Sequence, residues 1–159
     1  MLELQPLMQQ AIEVARQSAA AGEPPFGAII VGPTGERVAA LGDQVRMFRD
    51  MTRHAEIEIV RIAIAVRGPD LRGCSLVTTV EPCPMCFTAA WLARITRIVY
   101  GATMSAVAAA TDGAQREVIV PVEQMNAASG NQIEVIGGIH GHACLSLFSP
   151  SAIPAITLM

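Results

Sequence analysis

Residues Cys74 to Gly101 read "CSLVTTVEPCPMCFTAAWLARITRIVYG". "CSLVTT" (Cys74 to Thr79) is apolar and β-branched, as strands are. "PMCFTAAWLAR" reads as a helix, and "TRIVYG" (Thr96 to Gly101) as a further strand. Strand, helix and strand in that order form the repeating unit of an α/β sheet.

Upstream, the stretch from His54 to Arg67 is expected to be helical. Ile57, Val60 and Ile64 line one side and Ile59, Ile62 and Val66 another, so it should be largely buried. "FGAIIV" (Phe26 to Val31) reads as a strand, turned by "GPTGE" and answered by an antiparallel "RVAAL" (Arg37 to Leu41). Leu4, Leu7, Met8, Ile12 and Val14 space helically, giving a first helix over Leu2 to Ala20. A polar loop with several arginines runs from Asp43 to Arg53.

Downstream, a short alanine-rich helix is expected near Met104 to Ala110, a fifth strand at Gln132 to Gly138, and a last helix in "HACLSLF". The order α-β-β-α-β-α-β-α-β-α implies an α/β fold, one sheet with helices on both faces. With 159 residues, no internal repeat and no long linker, the chain reads as one domain over residues 1–148, followed by an apolar tail over 149–159. The tail "SPSAIPAITLM" has no charge and two prolines, and is expected to cover a pocket or pack on a partner subunit.

Apolar residues make up 52% of the chain and the formal net charge is −3, so there is no general attraction to nucleic acid or anionic membrane. All eleven basic residues are arginine, which excludes Schiff-base and lysine acid–base chemistry. No run is long enough to span a membrane, and the first residues lack a basic leader, so a cytoplasmic location is expected. In that compartment four cysteines mean thiols or metal ligands rather than disulfides.

Cys83 and Cys86 form a C-x-x-C at a helix start, a pattern that redox pairs and structural zinc knuckles also use. The helix terminus favours thiolates in each case. His54 supplies a nitrogen that completes a good three-ligand set for Zn²⁺, leaving the fourth position open, as in catalytic sites. Glu56 is then left for a task other than ligation. Residues two apart do not share a helix face, but in a first turn both can aim beyond the helix end. Cys74 and Cys144 read as buried thiols, and His140 and His142 lack metal-ligand spacing.

His54-Ala55-Glu56 with Pro82-Cys83-Pro84-Met85-Cys86 is the H-x-E and P-C-x-x-C signature of zinc nucleobase deaminases. The sequence resembles the cytidine deaminase-like superfamily, in the branch holding guanine deaminase, cytosine deaminase and tRNA adenosine deaminase. The resemblance runs from about Ala11 to Gly101, and "PFGAIIV" (Pro25 to Val31) is similar to a pocket-lining strand of guanine deaminases. It implies a three-layer α/β/α sandwich with a five-stranded mixed sheet, one Zn²⁺ per chain and a homodimer. It implies further that Glu56 is the catalytic acid–base, that His54, Cys83 and Cys86 hold the metal, and that the Ala55 backbone N–H and Phe26 meet the substrate.

Departures bear on the substrate. Asp43 stands where the family commonly carries an Asn that bonds the base, and an ionised carboxylate only accepts hydrogen bonds. Met51 replaces a family proline, and Trp91 sits one position early for a stacking aromatic, so it is assigned to packing. The expected substrate is a small heterocyclic amine, with guanine or cytosine as first guesses. The alternatives are a tRNA-specific adenosine deaminase and a non-catalytic zinc-stabilised binding module. Nucleic acid is disfavoured because no Lys or Arg follows Arg116. Arg46, Arg49 and Arg53 could hold a phosphate, but read first as a solvated, salt-bridged loop.

Overall fold

The computed structural model describes residues 2–150. Five strands form one mixed sheet in the order β2-β1-β3-β4-β5. They are β1 (Gly27–Val31), β2 (Arg37–Gly42), β3 (Ser75–Val80), β4 (Arg97–Ala102) and β5 (Glu134–Ile136). β1 runs antiparallel to β2 and β3, while β3, β4 and β5 run parallel. The helices are α1 (Leu4–Ala20), α2 (Val45–Phe48), α3 (Ala55–Arg67), α4 (Pro84–Leu92), α5 (Met104–Ala110), α6 (Val122–Ala128) and α7 (Gly141–Ser146).

Register assigns the helices to faces. Ala28, Thr78 and Tyr100 are cross-strand partners and share one face. Thr78 reaches α3 through Glu56, and Tyr100 reaches α6 through Glu123. Gly27 and Gly101 alternate to the other face. A Cβ on Gly27 would run into the backbone of Ala11 and Ala15 in α1, and one on Gly101 into Cys144 of α7. Glycine at these two positions lets each helix lie close on the sheet. The three layers are thus α1 and α7, the sheet, and α3 with α4 and α6. Every residue of β1 and β3 is buried, as central strands covered on both sides require.

The structure departs from the sequence reading in three places. The loop after Asp43 contains α2, whose amides at Arg46 and Met47 donate to the buried Glu23 carboxylate at 2.9 and 2.7 Å. Helix α6 lies in a stretch with no periodic apolar pattern. Its Val122 amide donates to Glu81 Oε1 at 2.8 Å, while the Met104 amide at the start of α5 donates to Glu81 Oε2 at 3.0 Å. One buried carboxylate just past β3 therefore serves two helix starts. Helix α3 is also less buried than expected: Ile59, Val60 and Ala63 face the core, but Val66 is 69% exposed, because the sheet covers only one side.

Candidate active site

Two helix N-termini converge beyond the end of β3. His54 is the N-cap of α3, in extended conformation (φ −69, ψ 150), with Ala55 and Glu56 in the first turn. Cys83 is the N-cap of α4 (φ −66, ψ 167), Pro84 opens the helix, and Cys86 follows within its first turn. The spacing of His54 and Glu56 is resolved by this placement, because the histidine stands outside the helix and the glutamate inside it.

His54 Nδ1 lies 3.7 Å from Cys83 Sγ and 3.6 Å from Cys86 Sγ, and the two sulfurs are 3.5 Å apart. Tetrahedral zinc with ordinary Zn–S and Zn–N lengths needs ligand separations of roughly 3.5–3.8 Å, so the donor set fits the ion in chemistry and spacing. Among the described residues these three form the only such group, and His140, His142 and Cys144 stand outside it. Cys144 is buried beneath Gly101, and burial pushes its thiol up to about 11.

Without the ion the group holds protons unevenly. A hydrogen bond from Cys86, joined by His54, draws Cys83 down to about 4. Cys86 is driven up by that same bond and by burial. Burial opposes charge on His54, but the bond to Cys83 and the nearby Asp43 and Glu56 charges raise it to about 9.

Glu56 is buried. Its Oε1 accepts from the Thr78 hydroxyl at 2.7 Å, and Oε2 lies 3.6 Å from Cys86 Sγ. Burial raises its pKa, opposed by the charge on His54. Asp43, also buried, accepts the Ala55 amide on Oδ1 at 2.7 Å. The amide that the resemblance gives to a substrate carbonyl is therefore already engaged, since a carboxylate is a strong acceptor at a helix start. Burial pushes Asp43 well above the usual range.

A cavity of about 420 Å³ opens here, lined among others by Phe26, Asp43, His54, Arg116 and Glu117. A larger groove of about 630 Å³ between α1 and β2 contains neither the metal ligands nor Glu56. Phe26 packs edge-on against Phe148, ring centroids 5.1 Å apart, so the end of the described chain comes back to the cavity wall. Residues 151–159, where most of the expected tail falls, lie outside the described residues. Glu117 has no signal in the sequence, because "QREVIV" carries no motif. Burial, with the charges of Cys83 and Glu56, pushes it up to about 7. Arg53 is tied to Glu58 at 3.0 Å and lies 4.1 Å over the Phe48 ring, and Arg46 donates to the Gly22 carbonyl. Trp91 packs on the core from α4 and does not line the cavity.

Residues 1–102 match the family model of the cytidine and deoxycytidylate deaminase zinc-binding region. The chain belongs to this family. A tRNA-specific adenosine deaminase of Agrobacterium fabrum is 40% identical over 103 residues, covering 64% of this chain and 67% of that protein. A probable cytosine deaminase of Schizosaccharomyces pombe is 31% identical over 132 residues, 82% of this chain and 80% of its own. The structure of guanine deaminase from Nitrosomonas europaea superposes with TM-score 0.79 and 29% identity over 93% of this chain and 84% of that one. The chain also matches tRNA(Ile)-lysidine synthase of Deinococcus deserti, 48% identical over 97 residues, 60% of this chain but only 18% of that protein's length. Among the described residues no helix is long and apolar enough to cross a membrane.

Proposed function

We propose that the chain is a zinc-dependent hydrolytic deaminase of a small heterocyclic amine, with guanine or cytosine the first substrates to try. The observation that carries this reading is the placement of Glu56: buried, not part of the ligand group, with one oxygen anchored and the other turned toward that group.

His54, Cys83 and Cys86 would hold the zinc, which when bound would acidify a water at the open position. Glu56 Oε2 takes a proton from the attacking water and gives it to the ring nitrogen beside the amine-bearing carbon. The water oxygen bonds to that carbon. Glu56 then moves the second proton to the amine, the C–N bond breaks, and ammonia leaves a carbonyl behind. Glu117 lines the same cavity, and with its carboxyl lifted to about 7 it would be a second group able to exchange a proton there. Phe26 offers an apolar wall to the ring, and Asp43 meets its polar edge. The Ala55 amide reaches a substrate only when Asp43 releases it.

A homodimer would cover apolar side chains that this fold leaves outside: Val66 of α3 at 69% and Leu92 at the end of α4 at 66% exposure. Sedimentation of the purified protein tests that assembly.

Ammonia release from zinc-loaded protein is the direct test, over guanine, cytosine, adenine, aminotriazines and the matching nucleosides and nucleotides. Failure on every free base would overturn the substrate reading. The second reading, a tRNA adenosine deaminase, is favoured by the 40% identity to the Agrobacterium fabrum enzyme. Tight tRNA binding that weakens steeply with salt would place it first.

A further inference from the structure

We propose that Thr78 is a positioning residue, its hydroxyl fixing which oxygen of Glu56 works and which is only held. Thr78 sits within β3 at 0% exposure, on the face that carries α3. Its Oγ1 donates to Glu56 Oε1 at 2.7 Å, leaving Oε2 on the side of Cys86, 3.6 Å from its sulfur. The neighbouring hydroxyl has another task, since Thr79 accepts from the Gly27 amide at 3.2 Å.

A glutamate's last torsion is broad and roughly two-fold, so packing alone selects poorly between its oxygens. A directional bond from a buried hydroxyl does select, and bonds to an ionised acceptor are among the strong ones. The arrangement gains accuracy from its location. The strand that holds the carboxylate also leads, three residues past its end, to Cys83. One rigid element thereby sets the acid–base group and a metal ligand relative to each other. The consequence for turnover rests on the deaminase reading above, while the geometric consequence does not.

Thr78→Val keeps the shape and removes the donor, whereas Thr78→Ser keeps the donor and removes a methyl. With zinc bound, Thr78→Val is expected to lower kcat about 10- to 100-fold, the loss of one bond to a charged group, with KM nearly unchanged. Thr78→Ser should retain most of kcat despite losing core packing. In a Glu56→Gln background Thr78→Val should cost little more, because the two act as a unit. Equal losses of kcat in the Val and Ser variants, or full kcat in Val, would overturn the proposal. Should no substrate in the panel turn over, crystal structures of the zinc-loaded variants decide it, since without the metal the Cys86 thiol can itself donate to Oε2 and hold the carboxylate. The Glu56 carboxylate should rotate or become disordered in Val and keep its parent position in Ser; an unmoved carboxylate in Val would refute it. If Val does not fold, Thr78→Ala takes its place in every arm with the same expected and refuting results.

Discussion

Glu81→Gln tests the physical account of how the fold is closed around the site. The Glu81 side chain is buried, and its two oxygens accept the Met104 amide at 3.0 Å and the Val122 amide at 2.8 Å. Glutamine can keep one acceptor oxygen in place, but its NH₂ then points at the other amide, donor against donor. One charged hydrogen bond is lost outright, about 1.5–3 kcal/mol, and the surviving one weakens to a neutral bond. Removing a buried charge recovers part of its desolvation cost, which keeps the total near 2–3 kcal/mol. For a chain of this size that is a fall in Tm of roughly 4–12 °C. The assay is urea and thermal unfolding of zinc-saturated parent and variant, with metal content checked so that zinc loss is not mistaken for the effect. An unchanged m-value with a lowered midpoint is expected, because α5 and α6 still form but are held less firmly. A variant within about 0.5 kcal/mol of the parent would refute the reasoning, since surface substitutions without such a role fall in that range.

Glu56→Gln should bind one zinc per chain yet lose turnover by about 10²- to 10⁴-fold, read by metal analysis beside ammonia release. Zinc affinity should fall as pH falls. Below pH 9 the metal-free site carries a proton on His54, raised to about 9, and one on Cys86, raised further, while Cys83 is already a thiolate. Two protons then leave per zinc bound, so each unit of acidification between pH 8 and 6 should weaken binding about 100-fold in a chelator competition, and a flat profile would contradict it. Gly27→Ala should cost about 3 kcal/mol or more in urea unfolding, because the added methyl meets helix backbone, which cannot swing aside. Asp43→Asn should change the order of preference in the substrate panel, since it replaces an ionisable carboxyl, whose charged form burial disfavours, with a neutral amide that carries a fixed NH₂ donor.

Much of the site was legible from local pattern. H-x-E and P-C-x-x-C are short motifs placed at helix starts, and a helix start is a local event governed by the residues that make it. The regular elements with clear periodicity, α1, β1, β2, α3, β3, α4 and β4, fall within a few residues of their expected bounds. Helices α2 and α6 were not legible, because their first amides are met by Glu23 and Glu81, carboxylates distant in the chain. The exposure of Val66 had the same origin: a sequence gives the stripe of apolar residues on a helix but not how much of the stripe the sheet will cover.

The sequence by itself determined the chemistry on offer: one imidazole, two thiols and a carboxylate that is not a ligand, in a chain with no lysine. Only the tertiary structure decided how those groups are held. It put Thr78 on one oxygen of Glu56, engaged the Ala55 amide with Asp43, and brought Glu117 from an unpatterned stretch to the same cavity. The reason is one of range. Ligand type and helix capping are written over a few neighbouring residues, whereas hydrogen bonds between residues a dozen or more positions apart exist only once the sheet has fixed the register of the strands that carry them.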